Sequence, residues 1–314
     1  MSQKAEGKAH GKVILIGEHS VVYDKPAIAI PFPVVNVTAT IKETDYTASN
    51  SISITSKYYD GPLLDAPEEL SGITACVEEA FYLLNANPTN ICIQIESNIP
   101  SGRGLGSSAA VAHAIVRGIF RHFDASLSKD VQMHLVQIAE THAHGNPSGI
   151  DMEATYSDAP IWFQKGKKTK ALEIGSPLHL IVADSGCFGD TRTAVESIRS
   201  LYFNNPAHTR NSIDLLGEYT VECARSLAIG DLHRIGNLMN LAQNELAKLG
   251  VSDEHLEWLI QVAKENGALG AKLTGGGRGG CILALAENEQ HAILLSNALK
   301  EAGAPRTWTS ILNG

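Results

Sequence analysis

The sequence predicts an α+β protein of two domains, and three patterns carry that expectation. Strand-like alternation fills the first third of the chain, a helix with apolar residues nearly all round follows a glycine-rich turn, and a second group of strands and helices begins beyond a polar stretch at Gln164 to Thr169. Apolar runs at Lys12 to Gly17 and Ala27 to Ile30 read as strands. Val34 to Lys42 alternates, with Val35, Val37, Ala39 and Ile41 on one face, and Ser51 to Lys57 alternates too. Helical patterns follow at about Pro67 to Leu84 and Ser107 to Phe123, with a strand at Ile91 to Glu96 between them. The second of these helices carries Ala109, Ala110, Val111, Ala114, Ile115, Val116, Ile119 and Phe120, the composition of a helix buried on every side.

The stretch Gln164 to Thr169 contains Gly166 and three lysines, and the domain boundary is expected there, giving domains over 1–168 and 169–314. Beyond it a buried strand is predicted at Leu178 to Asp184. Helices are predicted near Asn211 to Leu227, Asp231 to Leu249 and Asp253 to Asn266, then strands near Ala271 and at Cys281 to Ala286. A helix at Glu289 to Ala302 and a strand at Arg306 to Ile311 close the chain.

Composition narrows the class of function. The 314 residues are 44% hydrophobic and 19% charged, which suits a soluble globular protein with a sizeable core. Lys and Arg number 25 against 34 Asp and Glu, a net charge of −9, so no global positive field exists to hold nucleic acid or an anionic membrane. The five cysteines are scattered without CxxC spacing, against both a disulfide framework and a zinc site. The stretch from Met1 to Lys12 has no apolar signal region, and no run reaches the ~18 apolar residues of a membrane span, so a cytoplasmic protein is expected.

Five segments carry chemistry. In Gly102-Arg103-Gly104-Leu105-Gly106-Ser107-Ser108-Ala109-Ala110, glycines permit positive φ and close backbone approach. The free N–H groups of the helix that follows attract an anion, and Ser107 and Ser108 fall at its N-cap or first turn. Alone, such a loop is equally a serine-capped turn. Lys12 leads an apolar strand that ends in Glu18 and His19; alternation places Lys12, Ile14, Ile16 and Glu18 on one face, where the ammonium needs an anionic partner. Glu140 lies on a helix that gives way to a Gly/Asn/Pro turn and then Asp151, and two carboxylates folded together there suit a hard cation and base catalysis. His142 and His144 lack further ligands at fixed spacing and read as surface or packing histidines.

The run Thr274-Gly275-Gly276-Gly277-Arg278-Gly279-Gly280 formally contains GxGxxG, but a strand follows it rather than a helix, so it is not a dinucleotide fingerprint. It instead offers closely packed backbone to a ligand. Finally, in Gly189-Asp190-Thr191-Arg192-Thr193, Arg192 either forks onto a substrate carboxylate or is solvated at a capped helix start. No Walker A sequence occurs.

Together these motifs resemble the GHMP kinase superfamily: GKVILxGEHxVV at Gly11 to Val22, PxGxGLGSSAA at Pro100 to Ala110, HGNPSGxD ending at Asp151, and KLTGxGxGGC at Lys272 to Cys281. The resemblance implies a two-domain α+β fold, with a ribosomal protein S5 domain 2-like N-terminal domain that binds ATP and a ferredoxin-like C-terminal domain. It implies transfer of the γ-phosphoryl group of ATP, with Mg²⁺, to a small-molecule alcohol. By the same resemblance, Lys12 and residues Gly102, Arg103, Gly104, Leu105, Gly106, Ser107 and Ser108 hold the triphosphate, and Ser108 and Glu140 hold the metal. Asp151 is the catalytic base, and Lys12 also contacts the acceptor oxygen. His19, Glu18, Arg192, Thr274 and Gly275 line the acceptor site, and a homodimer is the family's assembly. Arg278 and His10 depart from the usual glycine and proline, and Ser53, Thr55 and Ser56 are candidates beside adenine. A kinase of the superfamily acting on an already phosphorylated acceptor, and a catalytically silent nucleotide- or isoprenoid-binding relative, remain open at this point.

Overall fold

The computed structural model describes residues 4–44, 52–87, 90–145 and 147–313; Ser51, Asn146 and the side chain of His144 lie outside the description. The chain forms two compact units interleaved along the sequence. Met1–Gly11, Val35–Pro100 and Gly106–Tyr156 make the first, and Lys12–Val34, Ser101–Leu105 and Ser157–Gly314 make the second.

The first unit takes the start of strand β1 (Lys4–Ile16) and the end of strand β2 (Ala27–Glu43). Val37 to Glu43 pairs antiparallel with β5 (Ile91–Ser97), β3 (Ile52–Thr55) lies parallel to β5, and β4 (Asp60–Pro62) closes that edge against β3. Alternation works as the sequence predicts, since Val35, Val37, Ala39 and Ile41 are all fully buried. The helices are α1 (Ser71–Leu83), α2 (Ser107–His122), α3 (Lys129–His144) and α4 (Ile150–Tyr156). Small side chains along one side of α2 let β1 approach it closely. A Cβ on Gly7 would stand 2.0 Å from the Ala114 carbonyl and 2.3 Å from the Gly118 nitrogen.

In the second unit the beginning of β2 pairs at Ala27 to Ala29 with β6 (Ile161–Phe163), which turns back as β7 (Lys170–Ala171). The two strands predicted at Ala27 to Ile30 and Val34 to Lys42 are one continuous β2 that runs through Pro31 and Pro33. The polar stretch at Gln164 to Thr169 is the turn of the β6–β7 hairpin, closed by Lys167 N–H to Gln164 O at 3.0 Å, so its composition reflects a surface turn. The last crossing between units falls at Tyr156–Ser157, ahead of that stretch.

There follow β8 (Leu178–Asp184), α5 (Thr191–Asn204), α6 (Pro206–Ile229), α7 (Leu232–Lys248), α8 (Glu254–Glu265), β9 (Gly270–Thr274), β10 (Cys281–Ala286), α9 (Glu289–Glu301) and β11 (Thr307–Leu312). Their sheet is antiparallel throughout, in the order β11-β8-β10-β9, the arrangement of a ferredoxin-like layer. Central β10 is buried at every residue. Asp190, Asp231, Asp253 and Asn288 cap α5, α7, α8 and α9 by accepting a first-turn N–H, the local signal that makes these helix starts legible. Among the described residues no helix is long and apolar enough to cross a membrane.

Because Gly7 lies against α2 backbone rather than a movable side chain, Gly7→Ala should destabilise the protein by about 2 kcal/mol. Equilibrium urea unfolding would show this as a lower midpoint with an unchanged slope.

Candidate active site

In the second unit, β1 carries Lys12 against the glycine loop. The side chain is 1% exposed; its Nζ donates to Gly104 O at 2.9 Å while its backbone N–H donates to Leu105 O at 3.0 Å. The Gly189 N–H holds Gly102 O at 2.9 Å. N–H and C=O point in opposite directions across a trans peptide, so the N–H groups of Arg103 and Leu105 turn away from these partners. Gly104 has φ +73°, and a Cβ there would stand 2.9 Å from the Thr274 carbonyl; one on Gly275 would stand 2.8 Å from the Gly104 Cα. Only glycine permits these two loops to touch.

A buried ion pair underlies both loops. Lys272, fully buried on β9, donates Nζ to Glu18 Oε1 and, at 2.6 Å, to its neighbour's carbonyl, Leu273 O. Burial pushes the Glu18 carboxyl up and the Lys272 amine down, and their mutual attraction, aided for Glu18 by the Lys12 charge, opposes both shifts. Thr274 Oγ1 accepts the Ile14 N–H at 2.9 Å and bonds Ile14 O at 3.2 Å. The side chains of Glu18 and Thr274, expected at the acceptor, are therefore engaged within the framework. His19, with φ 60°, bonds Gly276 O through Nε2 at 2.9 Å. Burial, with the nearby charges of Lys272 and Arg278, brings its imidazole down to about 4, against the pull of that carbonyl. The ring is neutral, Nε2 carries the proton, and Nδ1 is an acceptor.

Two arginines of the glycine-rich segments are tied down within the second unit. The guanidinium of Arg103 faces Asp184 at 2.7 Å, and Asp184 is 1% exposed and also meets Arg306 at 3.2 Å. Arg278 occupies a left-handed position, φ 53°, and turns its Nε to Gly250 O at 3.2 Å. Arg192 is exposed in the first turn of α5, whose cap is Asp190.

In the first unit, Gly106 in the left-handed conformation is the N-cap of α2, and no side chain caps that helix. Ser107 and Ser108 are its first two residues, both half-buried. α3 carries Glu140, 2% exposed, and α4 carries Asp151, half-buried, at its second position. The Ser108 hydroxyl and the buried Glu140 carboxylate are hard oxygen donors, the chemistry that Mg²⁺ prefers. Among the described residues no group of three or more His, Cys, Asp or Glu side chains could hold a metal ion. His113, fully buried in α2, bonds Met152 O through Nε2 at 3.0 Å and meets the Gln132 amide at Nδ1 at 2.8 Å. Burial lowers this imidazole to about 3.

Lys272, Asp184, His113 and Gln132 were not singled out from the sequence as site residues. A polar side chain inside an otherwise buried strand or helix was the available signal in each case.

Within the second unit a buried lysine bonds a carbonyl of the glycine-rich loop, and the sequence has no Walker A lysine. Residues 72–158 match the GHMP kinases N terminal domain and residues 221–305 the GHMP kinases C terminal family. The chain belongs to the GHMP kinases and is an ATP-dependent small-molecule kinase. The mevalonate kinase of Thermococcus sibiricus is 32% identical over 96% of this chain and 95% of its own length, and that of Pyrococcus furiosus 32% over 98% and 96%. Mevalonate kinase from methicillin-resistant Staphylococcus aureus MRSA252 is 32% identical with a TM-score of 0.73, covering 99% of this chain and 100% of that one. The L. major mevalonate kinase solved with R-mevalonate shares the fold at a TM-score of 0.85 and 24% identity, over 100% and 99%.

Glu18→Gln removes the counter-charge of a fully buried ammonium and should cost about 3–5 kcal/mol of stability, much of it recovered when Lys272→Met is added; chemical denaturation of the single and double variants measures both. The two neutral histidines set an acid limit. Native His19 titrates near 4 and His113 near 3, against 6.5 when unfolded, so below pH 6.5 the unfolded chain binds protons that the native one does not. Stability present above pH 6.5 is thus lost as pH falls toward 4, at up to about 1.4 kcal/mol per pH unit for each histidine. His19→Gln should flatten that slope by about one proton in pH-dependent unfolding.

Proposed function

We propose that this kinase transfers the γ-phosphoryl group of ATP to the 5-hydroxyl of mevalonate, giving 5-phosphomevalonate in the mevalonate route to isoprenoids. The observation that carries the acceptor is the near full-length similarity to mevalonate kinases at 32% identity.

The motif resemblance supports the following roles, and the contacts within each unit are compatible with them. The N–H groups of the loop and of the first turn of α2 receive the triphosphate, and the Lys12 ammonium adds positive charge where the transferring group becomes more negative. Ser108 and Glu140 would hold Mg²⁺, which when bound neutralises phosphate charge. Asp151 takes the proton of the acceptor hydroxyl as the oxygen bonds phosphorus. His19, through its unprotonated Nδ1, accepts a hydroxyl of mevalonate, and exposed Arg192 is the cation for its carboxylate. Glu18 and Thr274 act one step back: Glu18 neutralises Lys272, and Thr274 ties the second glycine loop to β1. Gly275 provides the close contact with Gly104, and Arg103 contributes its N–H while its guanidinium holds Asp184. The reading extends to a cytoplasmic homodimer, which size-exclusion chromatography with light scattering would check.

ADP release measured with mevalonate, phosphomevalonate, homoserine and galactose in parallel tests the acceptor; mevalonate should be turned over best, and preference for any other would overturn the assignment. Asp151→Ala should lower kcat by about 10²–10⁴-fold, as expected for loss of a general base.

A further inference from the structure

α4 is seven residues long, and so short a helix has little stability of its own; its placement is imposed by what holds it. Thr155 Oγ1 donates to Asp151 O at 2.8 Å, within the helix. From outside, the neutral His113 ring donates Nε2–H to Met152 O at 3.0 Å, on the residue directly after Asp151. The other ring nitrogen accepts the Gln132 amide at 2.8 Å. His113 is fully buried and Gln132 4% exposed.

A histidine is an expensive choice at this point of α2, where its neighbours Ala109, Ala110, Ala112 and Ala114 are fully buried and small. An aliphatic side chain would fill the volume without the desolvation cost of two ring nitrogens. The imidazole adds direction, because a hydrogen bond is tolerated only within a narrow range of distance and angle. The line from Gln132 through His113 to Met152 joins α3, α2 and α4, the three helices that carry Glu140, Ser108 and Asp151.

We propose that His113 and Gln132 are positioning residues for phosphoryl transfer: their hydrogen-bonded line fixes α4 relative to α2 and α3 and so holds the Asp151 carboxylate at the distance needed to take the acceptor proton. This rests on Asp151 being the base. Misplacement of a catalytic group by about 1 Å is enough to lower turnover by 10²-fold.

The test uses the full-length enzyme, with kcat and KM for mevalonate and the Kd of a non-hydrolysable ATP analogue measured for His113→Leu, His113→Gln and Gln132→Leu. Each is made alone and with Asp151→Asn, and thermal unfolding identifies the folded variants. His113→Leu should lower kcat by about 10–10²-fold while the mevalonate KM and analogue Kd stay within about threefold. Gln132→Leu should act in the same direction and less strongly. His113→Gln, whose amide can donate to Met152 O, should recover part of the loss. In the Asp151→Asn background, His113→Leu and Gln132→Leu should cost nothing further, because the group they position is already gone.

Full kcat in a folded leucine variant, or losses that multiply with Asp151→Asn, would overturn the proposal. If His113→Leu does not fold, Gln132→Leu decides by the same criteria. Asp151→Asn alone reports separately on the base: near-normal turnover there overturns the reading on which the proposal rests.

Discussion

Two lysines that never reach solvent organise the second unit: Lys272 on β9 pairs with the buried Glu18, and Lys12 on β1 bonds the Gly104 carbonyl. Charges taken out of water are tolerated only with close partners, and here the partners also align the functional loops. Lys272 binds Glu18, which fixes the end of β1; Thr274, two residues further along β9, returns a hydroxyl to Ile14 on the same strand. His19 then reaches Gly276, and Lys12 grips Gly104. The electrostatic need of one buried group therefore sets the register between a strand end and both glycine-rich segments.

The loop itself is held from three sides by unlike means. A strand lysine engages its carbonyls, glycine-to-glycine contact brings in the Thr274 to Gly280 segment, and Asp184 takes the guanidinium of Arg103. This division gives the Arg103 side chain a structural use, since it anchors the loop to the end of β8. In the first unit the same economy of buried polar groups recurs in neutral form, with an imidazole and an amide in place of an ion pair joining the helices on which Ser108, Glu140 and Asp151 lie.

Local pattern made much of the fold legible. The strands at Leu178 to Asp184 and Cys281 to Ala286 have the predicted limits because each is a buried apolar run bounded by a turn or a polar residue. Helix α2 starts where glycine gives way to serine. Pattern misread β2, because Pro31 and Pro33 look like a break although proline removes only a donor where no partner requires one. The polar stretch Gln164 to Thr169 forms the turn between β6 and β7, since a surface turn and an interdomain linker have the same composition.

By itself the sequence determined the two glycine-rich segments, the buried helix behind the first of them, and the candidacy of Lys12, Glu140 and Asp151. These depend on backbone freedom, side-chain period and chemical type, all of which act over a few residues. Tertiary structure decided which polar groups meet. Glu18 and Lys272 are 254 residues apart in the chain, Lys12 and Gly104 are 92 apart, and His113 and Met152 are 39 apart. Burial turned each of these into an obligatory partnership. A polar group in water is satisfied anywhere, but one enclosed by apolar side chains is satisfied only by the atom that the fold places beside it.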